Sequence, residues 1–362
     1  MKNICFLNSI KFWGGGEKLH LENAIEFNRK KYKVVVASNP NSILWEKCFT
    51  NNIELTPVRV GNISFLNLYK LLRFAFYLRV SKIDTIVFSS SQDLKFGAIA
   101  AKIAGVERVV YLRGLASPIR ANFLNRFIFK SCLTHIIASS NETKRQILTY
   151  LDSYIPNEKV YTIYHGVELN ENLTEKLDII TNNSKGIVLG NAGRLIKQKR
   201  QSDLIKIANK LKESGLEFTL FIAGEGECRY ELEEEIAKYK LNDYVKLLSF
   251  VSDMSAFMSS IDIFLQTSES EGFGFVLVEA MMKSKPVLAY NVSSNPEIIE
   301  DGKSGYLIEF ENTDSFADKL AILISDHKLR EAIGKEGLRR VKEKFILLDR
   351  INEFESYLLK KD

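Results

Sequence analysis

The sequence predicts an α/β protein of two doubly wound domains, and three observations carry that expectation. Short apolar runs alternate with segments of helical period in both halves, the pattern of parallel strands joined by crossover helices. A polar stretch of no clear period, at about residues 168–185, separates the two series with Asn-Glu-Asn and Thr-Asn-Asn-Ser clusters, and reads as a linker. At 362 residues the chain has room for two domains of ordinary size. The expected division is 1–170 for the first and 171–345 for the second.

In the first half Ile4–Leu7, Lys33–Ala37, Ile83–Ser89, Arg108–Leu112, Thr134–Ser140 and Val160–Val167 read as strands. Lys18–Asn28 and Phe96–Ala104 are helical by period, and Asn141 or Glu142 opens another helix. Between the first strand and first helix lies Trp13-Gly-Gly-Gly-Glu17. Its Gly15 and Gly16 suit either a phosphate at a helix N-terminus or close approach of a ligand to the backbone. The spacing is not the GxGxxG fingerprint, and no acidic residue closes the second strand, so no nicotinamide cofactor is expected.

Composition narrows the class. Apolar content of 46% and charged content of 26% are those of a soluble globular protein. The opening Lys2–Asn8 run reads as a buried strand rather than a signal peptide, and no run of about 18 apolar residues offers a membrane span. The four cysteines are scattered without a CxxC pair, which argues against a disulfide framework or a structural zinc and for a reducing cytoplasm. Residues 1–170 hold 23 Lys and Arg against 12 Asp and Glu, a net of +11, and the remainder 27 against 33, a net of −6. Without a nucleic-acid signature, that basic half points to an anionic membrane surface or a phosphorylated acceptor, and no nucleic acid is expected. Phe65–Val80, rich in Leu, Phe and Tyr and free of acids, reads either as an interfacial helix or as a crossover helix packed on the sheet. Arg79 points nearly opposite Lys70, which argues against a single basic face. Arg120–Lys130 is a second basic and aromatic stretch of the same kind.

In the second half Ile187–Asn191, Glu217–Ala223, Val245–Leu248 and Ile261–Gln266 read as strands, with helices over Ser202–Ser214, Tyr230–Tyr239 and Asp253–Ser259. Loops after these strands meet at one sheet edge. The first, Gly193–Arg200, carries Arg194 and Lys199, which read either as a planar fork and a point charge placed for one diphosphate or as a solvated basic loop, the commoner fate of such residues. The second, Ala223-Gly-Glu-Gly-Glu227, has Gly224 for close approach to a ligand. In the third, Asp253 caps a helix and Val251 offers backbone groups to a base. The fourth is Glu271-Gly-Phe-Gly-Phe-Val-Leu-Val-Glu279, which opens a helix running from Val276 to Lys283 and ended by Pro286. Such a loop leaves N–H groups unpaired at a helix start, where a phosphate is favoured, and taken alone it reads equally as a solvated loop with two surface glutamates. Thr313–Ser325 and Lys328–Lys344 follow as amphipathic helices.

Together Gly14–Glu17, Gly193-Arg194-Leu195 with Lys199, Ala223–Gly226, Phe250-Val251, Glu271–Gly274 with Glu279, Asn295-Pro-Glu-Ile298 and Gly302–Leu307 resemble the retaining glycosyltransferases of family four. The resemblance spans nearly the whole chain and implies the GT-B fold, two Rossmann-like domains facing a cleft. It implies a nucleotide-diphosphate sugar donor, of UDP or GDP type, on the second domain and a glycan, lipid-linked or phosphorylated acceptor on the first. It implies that 346–362 crosses back to the first domain. No cofactor or metal is implied, since Arg194 and Lys199 neutralise the leaving diphosphate. By the same resemblance Glu271, Gly272, Phe273 and Gly274 hold the donor sugar, Phe275 and Val276 offer N–H groups to the phosphates, and Glu279 accepts from the ribose. Many relatives carry a His where this chain has Arg113, which makes Arg113 a candidate contact for sugar, acceptor or acceptor phosphate.

The expected activity is sugar transfer in lipopolysaccharide or other surface polysaccharide assembly, by a cytoplasmic protein peripheral on the membrane. A nucleotide-sugar epimerase of the same fold is the alternative within enzymes, and would consume donor without acceptor. A non-catalytic glycan-binding protein of the same fold is the alternative outside them.

Overall fold

The computed structural model describes residues 2–169 and 175–359. Residues 170–174, inside the stretch read as a linker, and 360–362, at the expected crossover, lie outside the described residues. The chain forms two compact units, one of Met1–His165 with Leu348–Asp362 and one of Gly166–Leu347.

The first unit alternates β1 (Asn3–Asn8), α1 (Gly15–Arg29), β2 (Lys33–Ser38), α2 (Ile43–Thr50), β3 (Glu54–Pro57), α3 (Leu68–Val80), β4 (Thr85–Phe88), α4 (Ser91–Ala104), β5 (Arg108–Arg113), α5 (Phe123–Ser131), β6 (His135–Ala138), α6 (Asn141–Leu148) and β7 (Val160–Thr162). All seven strands are parallel, in the order β3-β2-β1-β4-β5-β6-β7. Right-handed crossovers then put α1 and α2 on one face and α3, α4 and α5 on the other. The interior strands β1, β2, β4, β5 and β6 are buried on both sides, so their sequences are continuous apolar runs rather than alternations, whereas the edge strands β3 and β7 are partly exposed. Leu7, Phe74, Phe88, Phe96, Tyr111 and Phe129 form the core beneath α3–α5. Helix starts follow their caps: Asn67, Ser90 and Asn122 side chains accept from Lys70 N, Asp93 N and Asn125 N. The Ser90 cap starts α4 at Ser91, five residues before the apolar period begins at Phe96. Helix α1 likewise starts at Gly15, so the glycines form its first turn.

The second unit comprises α7 (Asp178–Thr181), β8 (Ile187–Ala192), α8 (Gln201–Glu213), β9 (Phe218–Ala223), α9 (Arg229–Lys238), β10 (Val245–Leu248), α10 (Met254–Ser260), β11 (Ile263–Gln266), α11 (Phe275–Met282), β12 (Val287–Tyr290), α12 (Asn295–Ile298), β13 (Tyr306–Ile308), α13 (Thr313–Ser325) and α14 (His327–Lys344). Its six parallel strands run β10-β9-β8-β11-β12-β13. Part of the predicted linker is packed structure: Leu177 N donates to Ser260 Oγ at 2.8 Å and Ile180 is fully buried. Val167 N donates to Phe345 O (2.9 Å) and Val167 O accepts from Leu347 N (3.0 Å), closing this unit at the chain's exit. The last helix, α15 (Leu347–Leu359), then lies on the first unit, where Phe354 meets Phe27 edge-on at 5.7 Å and Tyr357 stacks on Tyr161 at 4.9 Å. All four cysteines are buried and free.

Candidate functional site

A doubly wound sheet binds its ligand at the carboxyl ends of the two strands where winding reverses. In the second unit that reversal lies between β8 and β11. The loops following these strands are laced together there. Thr267 Oγ1 donates to the carbonyl oxygens of Lys199 (3.3 Å) and Arg200 (3.0 Å), and Gln198 Nε2 donates to Ser270 O (3.0 Å) and Oγ (2.9 Å). Hydroxyls of Ser293 and Ser294, from the loop after β12, hold the Glu271 carbonyl at 2.7 and 3.1 Å. The loop after β9 joins them through Gly193 N to Ala223 O (3.0 Å) and Leu195 N to Glu225 O (2.9 Å). Gly224 has φ +146°, and a Cβ there would stand 1.9 Å from Gly193 O, so glycine is required for the two loops to touch.

On this frame Lys199 Nζ pairs with Glu271 Oε1 at 2.6 Å, both side chains largely buried. Gln266 Nε2 donates to the same Oε1 at 2.7 Å. Arg194 is exposed, and its guanidinium makes no hydrogen bond or ion pair among the described residues. Arg200 serves as an anchor: its Nε donates to Asp203 Oδ2 (2.7 Å), its NH1 pairs with Glu311 (2.7 Å), and its guanidinium lies 5.1 Å over the Phe310 ring. Buried Asp203 also accepts from Lys206 Nζ (3.1 Å) and Tyr290 Oη (3.1 Å). Burial, and then the neighbouring Asp203 charge, push the Tyr290 phenol well above its ordinary range. One residue from Lys199, this network fixes where the lysine stands.

Helix α11 starts where it does because Gly274 takes the left-handed conformation (φ +89°) at its N-cap, a position with no side chain of its own to cap the first turn. Gly272, Phe273 and Gly274 are buried, while Phe275 and Val276 form the half-buried first turn and Glu279 lies one turn on. Such a helix start favours an anion. Three buried acceptors, Asn191 Oδ1, Gln266 Oε1 and Asn295 Oδ1, lack a donor among the described residues. Asn191 lies near the end of β8, Gln266 closes β11 and Asn295 follows β12, so all three stand near the carboxyl ends of these strands. Asn295 Oδ1 lies 3.7 Å from where a Gly274 Cβ would be. Of these, Gln266 had a sequence signal, a polar residue closing the apolar run Ile263-Phe-Leu. Val251 is half-buried after β10, beside Asp253, whose side chain accepts from Ala256 N at 2.9 Å.

In the first unit the reversal lies between β1 and β4. Gly15 and Gly16 form the start of α1 at that edge, and Asn8 Nδ2 donates to the buried Glu17 Oε1 at 3.1 Å. Asp93, fully buried at the start of α4, accepts from Ser9 Oγ (2.5 Å), Ser9 N (3.1 Å) and Ser90 Oγ (2.6 Å). Burial raises its carboxyl to about 6 against the pull of those donors. Arg113, at the end of β5, donates through Nε to Leu115 O (2.9 Å), through NH1 to Tyr111 Oη (3.1 Å) and through NH2 to Ser117 O (3.2 Å) and Oγ (2.9 Å). Its guanidinium braces the loop that leaves β5. Among the described residues no three His, Cys, Asp or Glu side chains converge as metal ligands would.

A family model described as Glycosyl transferases group 1 matches residues 174–340, and one described as Glycosyltransferase Family 4 matches residues 13–171. The Staphylococcus aureus capsular polysaccharide biosynthesis glycosyltransferase CapM is 28% identical over 346 residues, 90% of this chain and 89% of its own. The Escherichia coli UDP-Gal:alpha-D-GlcNAc-diphosphoundecaprenol alpha-1,3-galactosyltransferase is 26% identical over 80% of this chain and 77% of its own. Among solved structures, Anabaena HepE in complex with UDP and glucose has a TM-score of 0.85 at 21% identity, over all of both chains. That likeness is one of fold, and the fold is GT-B.

Proposed function

The chain belongs to the group 1 glycosyl transferases, and from that premise we propose that it moves a sugar, with retention and without a metal, from a nucleotide-diphosphate sugar to a glycan or lipid-linked acceptor. The observation that carries this reading is the Lys199–Glu271 pair, 2.6 Å apart, at the winding reversal of the second unit beside the Gly274-led start of α11. The donor diphosphate sits against that helix start, with Lys199 and the unengaged Arg194 on its oxygens. Val251 faces the base, Glu279 accepts from the ribose, and Glu271 with the backbone of Gly272–Gly274 holds the sugar. The bond from the sugar's anomeric carbon to the phosphate oxygen breaks, the bond to the acceptor oxygen forms on the same face, and the departing phosphate takes the acceptor proton. Cationic stabilisation of that leaving group supplies most of the acceleration.

The acceptor is held by the first unit, whose Asp93–Ser9 network and Arg113-braced loop shape its carboxyl edge. Support for a surface-glycan acceptor comes from CapM, named for capsular polysaccharide biosynthesis, and from the relative named for a diphosphoundecaprenol acceptor. HepE, solved with UDP and glucose, supports a donor of UDP type, with GDP the other candidate. The work is placed on the cytoplasmic face of a membrane, peripherally; no helix among the described residues is long and apolar enough to cross one. The test is turnover of UDP- and GDP-sugars with a lipid-diphosphate-linked sugar, with and without a chelator. Transfer with retained anomeric configuration, unaffected by the chelator, is expected. Donor consumption without acceptor would establish the epimerase instead, and activity that a chelator abolishes and magnesium restores would overturn the metal-free step.

A further inference from the structure

Strand β11 is apolar until its last residue. Ile263, Phe264 and Leu265 are at most 1% exposed, and Gln266, which closes the strand, is buried as completely, between β8 and β12. Among the described residues its amide nitrogen has one partner, Glu271 Oε1 at 2.7 Å, and its amide oxygen has no donor. Turning the amide over would set its oxygen against the carboxylate, so the contact itself assigns the nitrogen. A buried acceptor without a donor destabilises a fold, and an apolar side chain of the same length would carry no such cost.

The fold does not need this amide. The loops around Glu271 are laced by other groups: Thr267 Oγ1 on the Lys199 and Arg200 carbonyls, Gln198 Nε2 on Ser270, and the Ser293 and Ser294 hydroxyls on the Glu271 carbonyl. Gln266 holds no backbone atom with its side chain; it reaches a single carboxylate oxygen five residues on. With its main chain fixed by the two serines, Glu271 keeps only the rotation of its own side chain. Two donors on Oε1 settle that rotation, Lys199 Nζ at 2.6 Å and Gln266 Nε2. Among the described residues Glu271 accepts through Oε1 alone. The donors differ in kind. Lys199 is a charge on a long stem that a diphosphate attracts, whereas Gln266 is neutral and anchored in the sheet.

We propose that Gln266 is the positioning residue of Glu271: it keeps hold of Oε1 when Lys199 turns to the donor's diphosphate, and so leaves Oε2 for the hydroxyls of the donor sugar. This rests on the reading that the second unit binds a nucleotide-diphosphate sugar. Without the amide, a diphosphate that takes Lys199 would leave a carboxylate only 13% exposed with no hydrogen-bond donor. The penalty for stranding that charge would appear as lost affinity for the nucleotide. With the amide in place the lysine is released and the carboxylate stays aimed. Resting stability is traded for function, the balance expected at an active site.

The experiment uses Gln266→Met, which keeps the unbranched shape and removes both polar atoms, alone and combined with Glu271→Gln. Affinity for UDP, or for GDP if the chain takes that instead, is read by titration calorimetry, beside the melting temperature and turnover at saturating donor. Gln266→Met should melt at or above the wild-type temperature, bind the nucleotide about tenfold more weakly and lower kcat about tenfold. In the Glu271→Gln background, where no charge is stranded, the same substitution should change affinity by no more than about twofold. Wild-type affinity and turnover in Gln266→Met, or an equal loss of affinity in both backgrounds, would overturn the proposal. Gln266→Leu guards against a packing fault peculiar to methionine; a lowered melting temperature in both apolar variants would make the amide structural and overturn the proposal too. If the wild type binds neither nucleotide, the donor reading falls and the proposal with it. If it binds one and Gln266→Met shows no coupling to Glu271, the donor reading stands and the proposal alone falls.

Discussion

Removing Lys199 tests the donor site at its centre. The ammonium is held 2.6 Å from Glu271 Oε1, largely out of solvent, before any diphosphate arrives. Pairing with the diphosphate adds a charge-assisted bond in a medium far less polarisable than water, worth about 2–4 kcal/mol. Lys199→Ala should therefore weaken UDP binding about 30- to 1000-fold by titration calorimetry. Glu271→Gln is the informative partner. It keeps an oxygen toward Lys199 and Gln266 while removing the charge that competes with the diphosphate for the lysine. UDP affinity should hold or rise, while turnover of the UDP-sugar falls because the sugar loses its carboxylate. Unchanged UDP affinity in Lys199→Ala refutes the assignment of the diphosphate to this edge. Equal loss of UDP affinity in Glu271→Gln would show the pair acting as a structural unit instead.

Gly224→Ala places a Cβ 1.9 Å from Gly193 O at φ +146°, so melting temperature should drop by several degrees, about 2–3 kcal/mol, with UDP binding; a wild-type melting curve would contradict the geometry. Arg113→Lys keeps the charge but loses the fork that reaches Leu115, Tyr111 and Ser117, so acceptor KM should rise several-fold with UDP affinity unchanged, and a fall in UDP affinity would count against a bracing role. His20, buried against Phe6 with both ring nitrogens unpartnered among the described residues, is lowered by burial to about 3 from 6.5. Its contribution to stability is thus complete above pH 6.5 and lost as pH falls toward 3, while Asp93, raised to about 6 from 3.8, works in the opposite sense and gains stability as pH falls. His20→Leu should remove the first effect, about 4–5 kcal/mol at full extent, and flatten the acid limb of the melting temperature against pH; an unaltered limb would refute the buried neutral histidine.

The strands were legible because a strand buried on both faces writes a continuous apolar run, and Ile4–Leu7 or Ile187–Asn191 admit little else. Helix starts were less so. Period marks where a helix becomes apolar, whereas the start is set by a cap, and for α4 the Ser90 cap precedes the first periodic residue by six positions. Part of the predicted linker proved to be structure, because one buried isoleucine and one backbone bond to Ser260 suffice to order a short polar segment.

The basic residues show most plainly what a sequence withholds. Arg113, Arg194, Lys199 and Arg200 are alike on the page, and spacing alone assigns a diphosphate to whichever two fall on a loop. Partners separate them. Arg113 and Arg200 spend their forks on backbone carbonyls, hydroxyls and carboxylates of their own unit, so their charge fixes loops. Lys199 is held by one carboxylate, which the proposed diphosphate would displace, and Arg194 by nothing among the described residues. A cation is available to a ligand to the extent that the fold leaves it unpaired, and that depends on contacts between residues some 70 positions apart, such as Lys199 and Glu271, which no local pattern encodes.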